Sequence, residues 1–209
     1  MVICVTGIDT DVGKTVVTGQ LAKRYQDEGK SVITVKLVQT GNVGESEDIL
    51  VHRKMMGGKM FPEDMDHTTA PQIFKYPSSA KLAAELEGKT VNLEAIRSAV
   101  KKCDARYDVV LVETAGGLYV PLTEEKYMID LIAEECWPCI LVTNGRLGSL
   151  NHTLLSLEAM KHHGIKIQEV IYNWSKNVPP EIDADTPKEI QRWMRSNTIN
   201  ATFGTLTRV

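Results

Sequence analysis

The chain has 209 residues, of which 43% are hydrophobic and 24% charged, so it can bury a full core and is not wholly disordered. Its 24 Lys and Arg residues against 27 Asp and Glu give a net charge of -3, which argues against a dedicated nucleic-acid binder. It has no apolar run long enough to span a membrane, no signal-peptide pattern, and too few cysteines for a disulfide scaffold. We therefore expect a soluble, cytoplasmic protein, folded as one domain over residues 1–209, without membrane or nucleic-acid partners.

Short apolar segments alternate with amphipathic segments along the chain. In chain order, the first half predicts a strand at Val2–Thr6, a helix at Lys14–Glu28, a strand at Val32–Val38, a helix at Glu47–Met56, an irregular stretch at Gly57–Tyr76, and helices at Ser78–Glu87 and Asn92–Cys103. The second half predicts strands at Val109–Val112 and Ile140–Thr143, a helix at Leu150–His163, a strand at Ile167–Tyr172 and a helix at Pro187–Asn197.

This alternation predicts an α/β fold in which a predominantly parallel sheet carries helices on both faces. The continuous apolar runs are typical of strands that are buried on both sides. Ligands bind such sheets beyond the carboxyl ends of the strands. We therefore expect the functional residues in the loops that follow the predicted strands.

The first of these loops has the composition of a phosphate-binding loop. It reads GIDTDVGKT over residues 7–15, between a predicted strand and a predicted helix. Backbone N–H groups and the helix N-terminus would hold the phosphates, Lys14 would neutralise them, and the Thr15 hydroxyl would bind Mg²⁺. Ile8 stands where the common spacing has a glycine, so an incidental Gly-Lys-Thr turn is the alternative. The pattern favours a P-loop NTPase-like sheet, with these nucleotide-binding residues: Asp11, Val12, Gly13, Lys14, Thr15 and Val16.

Two carboxylates are candidates to complete a magnesium site with Thr15. Glu113 ends a predicted strand, and Asp48 follows the second strand. Each could instead be a loop or helix-capping acid. Lys36 stands inside an otherwise apolar strand, where a charge needs a partner or a ligand. It either reaches solvent from the strand end or acts as a catalytic clamp on an anionic substrate.

Taken together, the motifs resemble those of the dethiobiotin synthetase family. The matching segments run in the family's order from residue 7 to residue 173: GIDTDVGKT (7–15), KLVQTG (36–41), ETAGGLYVPL (113–122), GRLGSLNHTLLSLEAM (145–160) and YNW around Asn173. The chain has Ile8, Leu37 and Thr114 where the family usually has threonine, proline and glycine. Its segment Phe203–Leu206 lacks the family's usual proline.

The resemblance implies an ATP-dependent ligase with a P-loop fold. Its reaction converts 7,8-diaminononanoate, CO2 and ATP into dethiobiotin, ADP and phosphate, with Mg²⁺ as the cofactor. The resemblance further assigns Lys14 and Lys36 to catalysis, and Thr40 to substrate binding. It assigns these residues to nucleotide binding, with the last contacting the base: Asp48, Glu113, Thr114, Ala115, Gly116 and Asn173.

The loop that opens the helix near residue 149 is a second candidate anion site. Two glycines, Gly145 and Gly148, lie where a strand gives way to a helix, so free backbone N–H groups could bind the substrate carboxylate. In the resembled family this segment reaches the substrate of the partner subunit, which implies a homodimer. An ordinary loop with a solvent-facing cap is the alternative. The predicted substrate-binding residues here are Gly148, Ser149, Leu150 and Asn151.

Two other functions fit a P-loop protein of this kind. A nucleotide-switched partitioning or positioning ATPase would carry a second lysine five residues before Lys14, but Asp9 occupies that place. An amide ligase of the cobyrinate-synthase type would need a glutaminase domain, for which we expect no room. The Cys136–Cys139 pair is expected to be two buried packing cysteines rather than a redox site, because a helix precedes it and a strand follows it.

Overall fold

The computed structural model describes residues 1–174 and 178–206. The strands are β1 (Val2–Gly7), β2 (Val32–Lys36), β3 (Gln39–Thr40), β4 (Ile73–Phe74), β5 (Val109–Glu113), β6 (Cys139–Asn144), β7 (Ile167–Asn173) and β8 (Thr202–Leu206). The helices are α1 (Lys14–Asp27), α2 (Glu47–Met55), α3 (Pro62–Met65), α4 (Ala80–Leu86), α5 (Leu93–Asp104), α6 (Met128–Glu134), α7 (Ser149–His162) and α8 (Pro180–Ser196).

The main sheet of the described residues has the strand order β2-β5-β1-β6-β7-β8, and every neighbouring pair is parallel. All residues of β2, β5 and β6 are buried, so both faces of the sheet are covered. Helices α1, α5 and α7 pack against these strands. The predicted parallel sheet with helices is thus confirmed.

The strand order places three carboxyl ends side by side. Strand β1 lies at the centre of the sheet, and β5 separates it from β2. The residues that end β2 and β5, Lys36 and Glu113, are register partners. The loop after β1 therefore opens next to both of them, although the three segments lie far apart in the sequence.

The chain between β2 and α4 is more ordered than the sequence predicts. Strands β3 and β4 form a small parallel pair, and α3 provides one short helical turn inside the stretch predicted to be irregular. Each of these elements is too short to leave a periodic pattern of apolar residues.

The last helix was predicted with the wrong start. It begins at Pro180, and Pro187 lies inside it. A proline within a helix removes one backbone hydrogen bond, but the face formed by Thr186, Ile190 and Met194 is buried and amphipathic packing outweighs that loss. The edge strand β8 was not predicted, and no helix in the described ranges is long and apolar enough to cross a membrane.

Candidate active site

A cleft of about 740 Å³ lies at the carboxyl ends of β1, β2 and β5. This volume is typical of a small-molecule site. It is lined by Thr10, Asp11, Gly13, Lys14, Thr15, Val16, Lys36, Val38, Gln39, Thr40, Asp48, Pro77, Ser78, Ser79, Glu113, Ala115, Gly116 and Val120.

The loop between β1 and α1 has the backbone geometry of an anion-binding nest. Asp11 and Gly13 both adopt positive φ angles, of 56° and 96°. A side chain at Gly13 would place its Cβ 2.1 Å from the Asn173 amide nitrogen, so glycine is required there. Gly13 caps α1 without a side-chain hydrogen bond, which leaves the first-turn N–H groups available to an anion.

Ile8 does not disrupt this loop, although it replaces the expected glycine. Its side chain is buried, and its backbone N–H donates to Val142 of the neighbouring strand at 3.1 Å. The glycine that gives the loop its close packing is Gly7, where an added Cβ would lie 2.7 Å from the Val12 side chain and 3.1 Å from that of Lys14. Ile8 thus keeps a hydrogen bond to β6 directly after β1 ends, and the phosphate loop follows it.

Lys14 is held against its own loop. Its Nζ donates a hydrogen bond of 2.7 Å to the Asp9 carbonyl oxygen, and the side chain is buried. Burial, together with repulsion from Lys36, lowers the pKa of Lys14 to about 8. Among the described residues, no carboxylate lies within ion-pair distance of the Lys14 ammonium. The ammonium is therefore suited to a bound phosphate.

Three oxygen atoms converge at the base of the cleft. The Thr15 hydroxyl oxygen lies 2.9 Å from Asp48 Oδ1 and 3.0 Å from Glu113 Oε1. Two carboxylates and a hydroxyl are hard donors of the kind that Mg²⁺ prefers. The residues present therefore fit a magnesium ion that would also contact nucleotide phosphates.

Lys36 lies beside the same carboxylates and is shielded from solvent. Its Nζ lies 2.6 Å from Asp48 Oδ2, 2.8 Å from Glu113 Oε1 and 3.0 Å from the Thr114 carbonyl oxygen. Burial alone would lower the pKa of Lys36, but the two carboxylates raise it above its ordinary value. Lys36 is thus a fully charged group inside the cleft.

Glu113 has a partner on each carboxylate oxygen. Oε1 lies near Thr15 and Lys36, whereas Oε2 lies 2.8 Å from His52 Nε2. Burial alone would raise the pKa of Glu113, but Lys36 and His52 hold it well below its usual range. His52 was missed by sequence reasoning, although its spacing of four residues from Asp48 places both on one face of α2.

The cleft gathers most of the predicted nucleotide and substrate residues, but not all of them. Val12 is buried, and its carbonyl oxygen accepts a 3.0 Å hydrogen bond from the Asn173 amide nitrogen, which places Asn173 behind the loop. The buried Thr114 hydroxyl donates to the Thr6 hydroxyl oxygen at 3.1 Å, so its side chain contacts β1. Neither Val12, Thr114 nor Asn173 is among the described residues that line the cleft.

The segment Gly148–Asn151 also lies outside this cleft in the described part of the chain. Gly148 begins α7 with a φ of 91°, and the buried Ser149 hydroxyl donates to the Asn144 carbonyl oxygen at 2.6 Å. The segment is connected to the phosphate loop indirectly, because Arg146 forms a 2.7 Å ion pair with Asp9.

Several lining residues were not predicted. Ser78 was predicted only as the start of a helix over Ser78–Glu87, but α4 begins after Ser79, whose side chain makes no capping hydrogen bond. Gln39 was not predicted; it forms the short strand β3 with Thr40, which was predicted to bind substrate. Cys136, expected to be buried, is exposed because the chain turns there with a φ of 52°, whereas Cys139 is buried in β6.

Comparisons with known proteins identify the family. The family model described as an AAA domain matches residues 1–203. The chain is 42% identical over 199 residues to ATP-dependent dethiobiotin synthetase BioD 2 of Pasteurella multocida (strain Pm70), covering 95% of this chain and 93% of that protein. It is 48% identical over 172 residues to the protein of the same name from Haemophilus influenzae (strain ATCC 51907 / DSM 11121 / KW20 / Rd), covering 82% and 90%.

A solved structure shows the same fold in a different class of protein. The ParA family ATPase from Chlorobium tepidum TLS aligns with a TM-score of 0.56 at 17% identity, covering 97% of this chain and 84% of that one. At this identity the likeness concerns the fold alone. The identities above, over nearly the full length of both relatives, show that the chain belongs to the ATP-dependent dethiobiotin synthetase family.

Proposed function

We propose that the chain catalyses the ATP-dependent closure of 7,8-diaminononanoate with CO2 to dethiobiotin, releasing ADP and phosphate. The observation that carries this proposal is the convergence of Lys14, Lys36 and the Thr15–Asp48–Glu113 oxygens in one cleft. Relatives of that activity by name, at 42% and 48% identity, support it.

The chemistry needs charge neutralisation more than covalent help from the protein. One substrate amine attacks CO2 and loses a proton, which gives a carbamate. A carbamate oxygen then attacks the γ-phosphorus while the bond to the ADP oxygen breaks. The second amine attacks the carbonyl carbon of this mixed anhydride and loses a proton, phosphate leaves, and the ureido ring closes. Anionic oxygens develop at each step, so fixed cations at the cleft are the main catalytic requirement.

The two lysines meet this requirement from different sides. Lys14, at the start of α1, would bind the ATP phosphates together with the loop N–H groups. Lys36 is held by three oxygen acceptors and would stabilise the negative charge of the transferring phosphoryl group. The hydroxyl of Thr40, which lines the same cleft, would orient the diamine substrate.

Thr15, Asp48 and Glu113 would hold the magnesium ion. When bound, that ion would supply further neutralisation of the phosphate oxygens. Ala115 and Gly116 line the cleft beside these residues, and we assign them to nucleotide contacts. We assign base recognition to Asn173, which already braces the phosphate loop through Val12.

A second copy of the chain would complete the substrate site. Apolar side chains are exposed along α7 and at both of its ends: Leu147 is 82% exposed, Leu155 61%, and Tyr119, whose ring contacts that of His163, 57%. Such a surface is typical of an interface between subunits. A homodimer covering α7 would bring the segment Gly148–Asn151 near the partner's cleft, where its N–H groups could bind the substrate carboxylate. A cytoplasmic location stays a prediction.

An assay of the purified chain tests the proposed reaction. Phosphate release from ATP should depend on both diaminononanoate and bicarbonate, with dethiobiotin detected by mass spectrometry. Lys14→Ala provides the inactive control. Phosphate release that does not depend on either substrate but increases with DNA or lipid vesicles would instead identify a nucleotide-switched ATPase.

A further inference from the structure

A buried series of hydrogen bonds leads to Glu113. It starts at Asp64, whose carboxylate accepts two hydrogen bonds of 2.8 Å from Arg53 Nε and Nη2. The third guanidinium nitrogen, Arg53 Nη1, lies 2.8 Å from the Thr34 hydroxyl oxygen. That oxygen lies 3.0 Å from His52 Nδ1, and His52 Nε2 lies 2.8 Å from Glu113 Oε2. Arg53, Thr34, His52 and Glu113 are all buried.

The chemistry of these groups fixes the direction of each hydrogen bond. A guanidinium can only donate, so the Thr34 oxygen accepts from Arg53. At the other end, the ionised Glu113 Oε2 can only accept, so the proton of a neutral His52 ring lies on Nε2 and is donated to Glu113. Nδ1 is then an acceptor, and it takes the Thr34 hydroxyl proton. In this arrangement every hydrogen bond between Asp64 and Glu113 pairs one donor with one acceptor.

These hydrogen bonds give the two oxygens of Glu113 different partners. Oε2 is occupied by His52, so Oε1 remains turned toward Thr15 and Lys36. Rotation of the carboxylate would break the His52 hydrogen bond inside the core, where an unpartnered polar group is costly. A carboxylate that binds a metal is commonly oriented by such an outer partner.

We propose that Arg53, Thr34 and His52 form a directional relay that positions Glu113, with His52 donating from Nε2. His52 is a positioning residue in this scheme, because it acts on the cleft only through Glu113. The inference rests on the proposed function only in assigning Glu113 to magnesium. A cluster that merely stabilises the core would have the same tautomer but would leave metal binding unchanged.

The first test is nitrogen NMR of the histidine side chains in the wild-type chain. The His52 signals, assigned by their loss in His52→Gln, should show a protonated Nε2 and an unprotonated Nδ1. Thr34→Ser keeps the hydroxyl and should keep this pattern, whereas Thr34→Val removes the hydrogen bond to Nδ1 and should shift the Nδ1 resonance, while Glu113 keeps the proton on Nε2. A wild-type His52 with a proton on Nδ1 would overturn the relay, even if Thr34→Val does not fold.

The second test measures how binding of a non-hydrolysable ATP analogue depends on Mg²⁺, by calorimetry. Thr34→Val should raise by about 10-fold the Mg²⁺ concentration that gives half-maximal binding of the ATP analogue, which is the usual cost of losing an outer partner of a metal ligand. Thr34→Ser should leave this concentration unchanged. An unchanged requirement in a folded Thr34→Val chain would refute the positioning role. Neither test uses diaminononanoate, so failure to make dethiobiotin would refute the proposed reaction without touching the relay.

Discussion

Lys36 and Glu113 form a buried ion pair across the last register position of β2 and β5, with Nζ and Oε1 2.8 Å apart. Side chains at paired positions of neighbouring strands project from the same face of the sheet, so this contact follows from the strand register. The positive charge of Lys36 at the end of an apolar strand is thereby neutralised by Glu113, which lies 77 residues later in the sequence. Each residue of the pair depends on the other, because a lone buried charge is strongly destabilising.

Replacing Lys36 should affect turnover and stability together. Lys36→Met should lower kcat by about 100-fold, equivalent to about 3 kcal/mol of transition-state stabilisation, while nucleotide binding persists. Its free energy of unfolding should fall by about 3 kcal/mol, because Glu113 loses a buried partner. Steady-state kinetics and urea unfolding provide the two measurements, with the exposed Lys23→Met as control. Lys14→Ala, by contrast, should lose nucleotide binding. Near-normal turnover of Lys36→Met would show that Lys36 has no catalytic role.

The magnesium requirement should identify the metal ligands. Asp48→Asn removes one charged oxygen donor, so the Mg²⁺ concentration for half-maximal turnover should rise by about 10-fold. Glu47→Gln is the matched control, since Glu47 is an exposed neighbour on the same helix. If Asp48→Asn and Glu47→Gln need the same Mg²⁺ concentration for half-maximal turnover, Asp48 is not a metal ligand and is only an acidic residue at the start of α2.

Shared sites in a homodimer should allow two inactive variants to restore each other. Lys14→Ala disables the phosphate loop, and Asn151→Trp places bulk on an exposed position at the start of α7. If the partner's α7 completes each cleft, half of the sites in a mixed dimer lack both defects. Activity should therefore return on mixing, whereas Lys14→Ala mixed with buffer stays inactive. Leu147→Asp should separately shift the sedimentation coefficient toward the monomer, and a wild-type chain that sediments as a monomer would contradict the dimer.

The ion pair between Arg53 and Asp64 should make stability depend on acid. Burial of the Asp64 carboxyl raises its pKa, but the hydrogen bonds from Arg53, the Phe61 N–H and Thr69, together with the Arg53 charge, hold it below its ordinary value of 3.8. The pair therefore stabilises the fold fully above pH 3.8, and this contribution is lost as the pH falls through the folded-state pKa. Asp64→Asn should cost about 3 kcal/mol in urea unfolding at pH 7, and the difference from wild type should shrink in strong acid. The exposed Asp27→Asn should show no such difference, and a gap that is independent of pH would refute the assignment.

The parts of the molecule that sequence predicts best are those set by local pattern. Continuous apolar runs predict the parallel strands, and the strand–loop–helix context of Lys14 and Thr15 predicts where phosphate chemistry would lie. The carboxyl ends of parallel strands share one edge, which is why Glu113 could be placed beside Thr15 before any contact was known.

The remainder depends on contacts between distant segments. His52 lies in an ordinary amphipathic helix, and only the docking of α2 on β2 reveals its partner Glu113. Pro187 marks a helix start by local rules, but burial of one face lets α8 begin at Pro180. The segment Gly148–Asn151 has the pattern of an anion site, yet its place relative to a cleft depends on a second chain.

The strand order also dictates when the cleft can exist during synthesis. Strand β5 is inserted between β1 and β2, although these strands begin 107 and 77 residues before it. A growing chain that ends before Val109 therefore holds β1 and β2 without their shared partner β5, and has no Glu113 to face Lys36. The cleft therefore lacks one of its carboxylates at that stage, and the unpaired strands of the nascent amino-terminal half should be prone to aggregation until β5 emerges from the ribosome.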